Sequence, residues 1–420
     1  MIEAFTQTPD HWGLSRIDRV ATVNARIGWK ALTASEYQPD GHVFLATPNI
    51  KTSQIDFDNV NYISEHRYEE SPELKLSVGD VLLAKDGNTL GIVNIVRDLP
   101  RPATINGSIA VLRSFDIHPG FLRYVIASSA TQGLIDSLKD GMGVPHLFQR
   151  DIKKLPVPLP PRKEQRRIAD FLDAELIRID RLRQLRHRMT NLLLLKRERA
   201  IEQGLGLTTD SIRSSMVPLK YLVQEVTVGI VVTPAAWYVD HGGVPALRGV
   251  NIQPGRIVTD NMVHISNEGH SLYRKSQLRK GDLVVVRTGQ AGATVVVPQE
   301  FDRANCIDLV IIRLSRDLNP RFTEYFLNSS HARQHIDEHS VGTIQSHFNV
   351  GAMKQMRIPR IPLREQSQRV DILDTQIGTI DSLLEKLKQQ EDALVERRQA
   401  LITAAVTGQI DVTITQGVDV

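Results

Sequence analysis

The sequence predicts a mixed α/β chain of the α+β kind. Two similar globular domains are separated by two long helices that form an antiparallel coiled coil, and the whole is an internal repeat with a pseudo-two-fold relation. Three observations predict it. A proline-rich join into a charged segment is written twice, as LPVPLPPRKEQRRIADFLD from Leu155 and RIPRIPLREQSQRVDILD from Arg357. Matching residues keep a nearly constant offset over half the chain. Apolar residues at alternating four- and three-residue spacing mark a coiled-coil seam.

The offset is 201 residues, the distance from Glu164-Gln165 to Glu365-Gln366. It holds for Asp173 and Asp374, Asp180 and Asp381, Arg197 and Arg398, and upstream for Tyr124 and Tyr325 and for His146 and His347. Further upstream it becomes 202, where Gly79-Asp80 matches Gly281-Asp282 and Asn49-Ile50 matches Asn251-Ile252. One residue gained in a loop explains the step. The predicted order is a globular domain (1–155), a central helical region (156–209), a second globular domain (210–357) and a C-terminal helical region (358–420).

Proline suits the first turn of a helix, where its missing N–H has no partner to lose, so Pro161 and Pro362 mark the helix starts. Each helix covers roughly forty residues, about 60 Å at 1.5 Å per residue. In the second helix the seam runs Leu373, Ile377, Ile380, Leu384, Leu387, Glu391, Leu394, Arg398, Leu401. The first helix is less regular and offers Ile168, Leu172, Leu176, Ile179, Leu182, Leu185, Met189, Leu192 and Leu193. Residues 162–203 carry twelve basic and seven acidic side chains; residues 364–408 carry six and eight. Opposite charge favours the two helices pairing with each other. Leu172, Leu176 and Ile179, with the apolar seam of the second helix, are the candidate pairing and docking positions. Dimerisation through single helices is the alternative.

The globular domains read as strands and turns followed by a helix. VGDVLLAKDGNTLGIVNIV from Val78 and KGDLVVVRTGQAGATVVV from Lys280 are each strand, turn, strand. SIAVLR from Ser108 and DLVIIRL from Asp308 are further strands, each ahead of a helix, near 119–138 and 320–339. The loops diverge most between the copies. Lys85, Asn88 and Thr89 stand in one, Arg287, Thr288 and Gln290 in the other, and such side chains suit guanine and adenine edges or phosphates. Arg26, Trp29, Lys30, Lys51, Arg248 and Asn251 join the candidate nucleic-acid-facing set, as do His146, Ser346 and His347.

Composition narrows the class. The length of 420 residues suits two or three domains, and 41% hydrophobic with 24% charged residues is ordinary globular usage. The single cysteine, Cys306, makes neither an internal disulfide nor a cysteine-rich zinc site, which points to the reducing cytoplasm. The N-terminal MIEAFTQTPDHWG lacks the pattern of a signal peptide, and the apolar runs are too short for a membrane span. A net charge of +3 argues only weakly for a polyanion partner.

No phosphate loop, strand-borne GxGxxG, HExxH, CxxC or Asn-Pro-Pro-aromatic tetrapeptide is present, and no acidic pair with a following lysine resembles a nuclease core. The neighbours of His146 and His347, GVPHLFQRD and IQSHFNVGA, bring no partner nucleophile or acid. No catalytic residue and no metal ligand is assigned.

The paired joins, their approaches GMGVPHLFQRDIKKLPVPLPP and GTIQSHFNVGAMKQMRIPRIP, and the Gly-Asp turns resemble those of the specificity subunits of type I restriction-modification systems, over nearly the whole chain. The resemblance implies two target recognition domains, each reading one half of a bipartite asymmetric target in double-stranded DNA. It implies helices that set the unread spacer and dock two methyltransferase (modification) subunits. Restriction (translocase) subunits join through the complex. S-adenosylmethionine, ATP and Mg belong to those partners; this chain binds no cofactor and is not itself an enzyme. The alternative is a coiled-coil adaptor that presents two copies of a protein-binding domain.

Overall fold

A computed structural model describes residues 5, 8–26, 32–51, 54–140, 143–289, 291–338 and 350–412. The chain divides into two compact units, Met1–Arg186 with Gln389–Val420, and His187–Lys388. Each unit thus owns one globular domain and a portion of both long helices.

In the first unit the main sheet is antiparallel, in the order Ala21–Ala25, Ile109–Ser114, Val81–Ala84, Val93–Ile95. Its two central strands, Val81–Ala84 and the start of Ile109–Ser114, read as apolar runs because both faces are covered. Val81, Leu83, Ala110 and Leu112 pack with the helix Pro119–Ala127, while Leu82, Ala84, Ile109 and Val111 pack under a second, three-stranded sheet. That division follows from the two-residue period of a strand. The second unit repeats it with Val223–Val228, Leu309–Leu314, Leu283–Val286 and Thr294–Val296. There Leu283, Val285, Val310 and Ile312 face the helical layer, and Val284, Val286, Leu309 and Ile311 face the small sheet.

The segment expected as one helix after each of these strands is two. Pro119–Ala127 and Ser129–Leu138 meet at Ser128, whose side chain caps the second helix by accepting from Thr131 N. In the second unit the break falls between Pro320–Leu327 and Ser330–Glu338. A serine that satisfies the free N–H groups of a new helix makes that break inexpensive.

The proline-rich strip is a strand. Pro156–Leu159 pairs antiparallel with Gly13–Arg16, and Arg357–Pro359 with Met216–Pro218. A two-stranded ribbon tolerates proline because only one edge of each strand needs its N–H groups. The long helices then run Arg162–Leu205 and Leu363–Val406, 44 residues each. Pro161 and Pro362 stand one residue ahead of the first turn, where their carbonyls accept from Glu164 and Gln165 and from Glu365 and Gln366.

The helices pair antiparallel within each unit. In the first, Ile168, Leu172, Leu176 and Ile179 share a core with Leu394, Ile402, Ala405 and Val406, and Leu401 packs against it. In the second, Ile201 and Leu205 share one with Val370, Leu373, Ile377 and Ile380, with Leu384 against it. Leu387 is half-buried, as the seam of the second helix requires. Arg398 lies 3.6 Å from Asp180 in the first unit, and Arg197 lies 2.7 Å from Asp381 in the second. These are one ion pair written twice, with donor and acceptor exchanged between the helices, as only an antiparallel repeat allows. Arg183 adds a 2.6 Å pair with Glu391.

The middle of the first helix departs from expectation. Leu182, Leu185, Met189 and Leu192 are exposed, and the half-buried residues are Arg183, Arg186, Thr190, Leu193 and Arg197. The carboxylates of Glu391 and Asp381 draw the arginine-bearing face inward. The leucines of the adjoining face are left to solvent, where long apolar side chains are unusual without a partner.

At Gly204 the two helices of the second unit stand close together. A Cβ there would meet Leu373 Cδ2 at 2.5 Å, and the Gly204 carbonyl accepts from Arg369 Nη1 at 2.9 Å. Leu373 is fully buried, and its Cγ would stand at 2.7 Å, so a turn of the leucine tip alone does not relieve the contact. Gly204→Ala is therefore expected to destabilise the second unit by about 1–3 kcal/mol despite the better helix propensity of alanine. An unchanged denaturation midpoint for that unit would contradict this packing.

Candidate nucleic-acid interface

Each domain is fixed to its long helix by the same side chains. Gln165 is buried; its Oε1 accepts from His118 N at 2.8 Å and its Nε2 donates to Pro160 O at 2.8 Å. Gln366 repeats this with Asn319 N and Ile361 O, both at 2.8 Å, and adds Asp317 O at 2.8 Å. Next to it a tyrosine hydroxyl donates to a helix aspartate, Tyr124 to Asp173 at 2.5 Å and Tyr325 to Asp374 at 2.6 Å. Burial pushes both phenols well above the usual tyrosine range. The cations differ. Arg97 and Arg123 attend Asp173, whereas Arg321 attends Asp374 and the buried Glu324, whose carboxyl burial pushes up. The geometry is retained while its charges are redistributed.

The Gly-Asp turns also serve the interior. Gly79 and Gly281 take positive φ, 94° and 85°, which a glycine adopts without strain. Asp80 accepts from Arg113 at 2.8 and 2.9 Å, and Asp282 lies 3.5 Å from Arg313. These pairs tie adjoining strands of the main sheet, and the loops that follow them form the candidate face.

In the first unit the loop after Val81–Ala84 is pinned by backbone bonds from Gly87 N to Pro145 O and from Leu147 N to Lys85 O, each 2.8 Å. Asp86 stands between Lys85, whose Nζ is 2.9 Å away, and His146, whose Nδ1 donates to it. Lys85 is largely buried, Asn88 and Lys51 are exposed, and Thr89 donates to Asp86 O at 3.3 Å. Lys85, Asn88, Thr89 and His146 thus gather at one loop cluster.

In the second unit Arg287 Nη1 lies 3.4 Å from Asp308, and Thr288 Oγ1 donates to the same carboxylate at 3.1 Å. Arg248 donates to Asn261 O at 2.6 Å and lines one cavity of about 560 Å³ with Gln253, Thr288 and Asp308. The one-residue step in the repeat falls inside this same loop. Gly87 and Gly91 match Gly289 and Gly292, all at positive φ, with one more residue between the first two.

Two expected residues are structural instead. Arg26 is buried and donates to Ile105 O, Ser71 and Thr104, and burial holds its guanidinium below the ordinary arginine range. Asn251 is fully buried; its side chain accepts from Arg248 N and donates to Val258 O and Asp260 O. Asn49 does the same for Ala46 N and Asn59 O. The repeated Asn-Ile is thus a turn brace, and its amides have no free edge to offer. Trp29, Lys30, Gln290, Ser346 and His347 lie outside the described residues. Asp86, Gln253 and Asp308 join the candidate loops without having been among the expected residues. Asp86 had a signal, an acid inserted between Lys85 and Gly87 at a position where the other copy has Thr288; Asp308 had none, since it reads as the first residue of a strand.

Among the described residues no cluster could hold a metal ion, and no helix is long and apolar enough to cross a membrane. The family model for the type I restriction modification DNA specificity domain matches residues 9–187 and 240–391. The chain is 21% identical to the type I restriction enzyme EcoKI specificity subunit of Escherichia coli K12, over 96% of this chain and 90% of that protein. It is 20% identical to the MjaVIII specificity subunit of Methanocaldococcus jannaschii, over 81% of each. A chain from a structural study of complex assembly and conformational transition in a type I R-M system has the same fold, with a TM-score of 0.73 at 19% identity over 96% of this chain and 99% of that one. The HsdS subunit from Thermoanaerobacter tengcongensis aligns with a TM-score of 0.53 at 20% identity over 98% and 100%. With two copies of the specificity domain matched across most of its length, the chain belongs to the family of type I restriction-modification specificity subunits.

Proposed function

We propose that the chain reads a bipartite, asymmetric target in double-stranded DNA, one half through each globular domain. One observation carries the reading: around the Asn-Ile turn the buried residues recur while the outward ones change. Leu45, Asn49 and Ile50 recur as Leu247, Asn251 and Ile252, while between and after them Ala46 becomes Arg248 and Lys51 becomes Gln253. In the next loop Lys85-Asp86 becomes Arg287-Thr288, a change of cation and of the charge beside it. One scaffold with two polar faces suits two different half-sites. Phosphate contacts supply affinity and a steep salt dependence, and the base edges supply specificity.

The long helices set the unread spacer and dock two methyltransferase subunits. The exposed leucines and Met189 of the first helix support docking, since they are apolar, solvent-facing and next to a seam already occupied. S-adenosylmethionine, ATP and Mg are supplied by the modification and restriction subunits, and the assembly works in the cytoplasm. The target adenine is flipped and methylated by the partners.

Exchange of residues 1–155 for those of a relative tests the reading. In the complex with modification subunits, sequencing of methylated DNA should show one half of the motif replaced and the other retained. Replacement of both halves would refute modular reading. Salt-insensitive binding to DNA would favour the adaptor alternative.

A further inference from the structure

We propose that Asp308 is a specificity-determining residue of the second unit and that, with Arg248, it reads a C·G base pair in the major groove. This rests on the DNA-reading function above and adds the base pair. Asp308 and Arg248 line the same cavity, about 560 Å³, over an apolar floor that includes Val286 and Ile307.

Asp308 has φ 51°, in the left-handed region, which aspartate and asparagine enter more readily than other non-glycine residues. Its N–H donates to Ile230 O at 3.0 Å, and the preceding N–H, of Ile307, donates to Leu247 O at 2.8 Å. The sheet therefore imposes the conformation. Asn261, whose carbonyl anchors Arg248, is also left-handed, at φ 55°. The carboxylate is thus aimed by its own backbone, which the sheet holds left-handed, and the guanidinium by the Asn261 carbonyl. The Arg248 and Arg287 Nε atoms are both buried without a hydrogen-bond partner among the described residues.

A carboxylate is costly on a surface that meets a polyanion, because it opposes every phosphate contact. Its use there is to accept from a base. Thr288 and Arg287 hold the Asp308 carboxylate in place yet leave it half-exposed, with lone pairs to spare. In the major groove cytosine offers its N4 amino group as a donor; adenine sets the N7 acceptor beside its own amino group, which repels the second carboxylate oxygen. The guanine of the same pair presents O6 and N7, the acceptors that a guanidinium takes. A carboxylate and a guanidinium at one cavity therefore complement C·G. The first unit has Ala46 at the position of Arg248 and the uncharged Gly107-Ser108 ahead of the strand that matches Leu309–Leu314, so this reader belongs to the second unit alone.

The test uses the full chain assembled with its modification subunits. The half-site lost on exchange of the second domain should contain an invariant C·G. Asp308→Gly removes the carboxylate and suits the positive φ, so the backbone stays relaxed. Wild type should reject T·A at that pair, where O4 would face the carboxylate. Asp308→Gly should lower that discrimination by about ten- to hundred-fold, the range of one good base contact. Arg248→Gln should loosen the same pair, and the half-site read by the first unit should stay unchanged in both variants, which also reports that they fold. A second half-site without C·G, or full discrimination retained by Asp308→Gly, overturns the inference. Failure of the wild-type complex to methylate any bipartite motif would instead overturn the DNA-reading function, and this inference with it.

Discussion

Gln366→Leu is expected to loosen the second globular domain from its long helix at a cost of about 2–5 kcal/mol, because several buried polar groups lose their partner at once. The Asn319 N–H and the Ile361 and Asp317 carbonyls all bond to this one amide. Leucine fills the volume and satisfies none of them. Gln165→Leu is expected to cost less, since among the described residues that amide serves His118 N and Pro160 O alone. Hydrogen exchange measured by peptide would locate the effect, with protection falling in Pro320–Leu327 for the first variant and in Pro119–Ala127 for the second. Unfolding of the chain need not be two-state, so local protection is a better readout than a single midpoint. Unchanged protection in both variants would mean that the ribbon and the tyrosine–aspartate bonds hold the junction without the glutamines.

Matched insertion of seven residues into both long helices is expected to lengthen the unread spacer by about 3 base pairs. Seven residues add about 10 Å of helix, against 3.4 Å per base pair of DNA. Insertions after Arg186 and after Lys388 fall at the boundaries of the two units and leave Arg183–Glu391 and Arg197–Asp381 intact. A heptad inserted into one helix alone puts those pairs and the seam out of register, and is expected to abolish site-specific methylation. The readout is the methylated motif: same half-sites, longer gap. An unchanged gap after matched insertion, with methylation intact, would show that the helices do not measure the spacer.

Expected residues that lie close in the chain or match across the repeat are brought together by the fold. Lys85, Asn88, Thr89 and His146 come together around one loop, and Arg248, Arg287 and Thr288 around another. Arg26 and Asn251 were misplaced for a physical reason. A long polar side chain that satisfies buried backbone groups has the same one-letter code as one that awaits a ligand, and only its hydrogen-bond partners tell them apart. Repetition itself does not discriminate: Asn49 and Asn251 recur because a turn must be braced twice.

The sequence by itself determined the duplication, the two joins, the apolar strands and the seam of the second helix. These depend on local period and composition, which every copy must carry in its own residues. The tertiary structure decided which face of the first helix turns inward. Leu182, Leu185, Met189 and Leu192 compete with Arg183, Arg186 and Arg197 for the seam, and the choice rests on carboxylates more than 180 residues away in the chain. It also decided that Gln165 and Gln366 are clamps and that Asp308 faces a cavity. Each of these depends on groups brought together only by folding, and no local pattern encodes them.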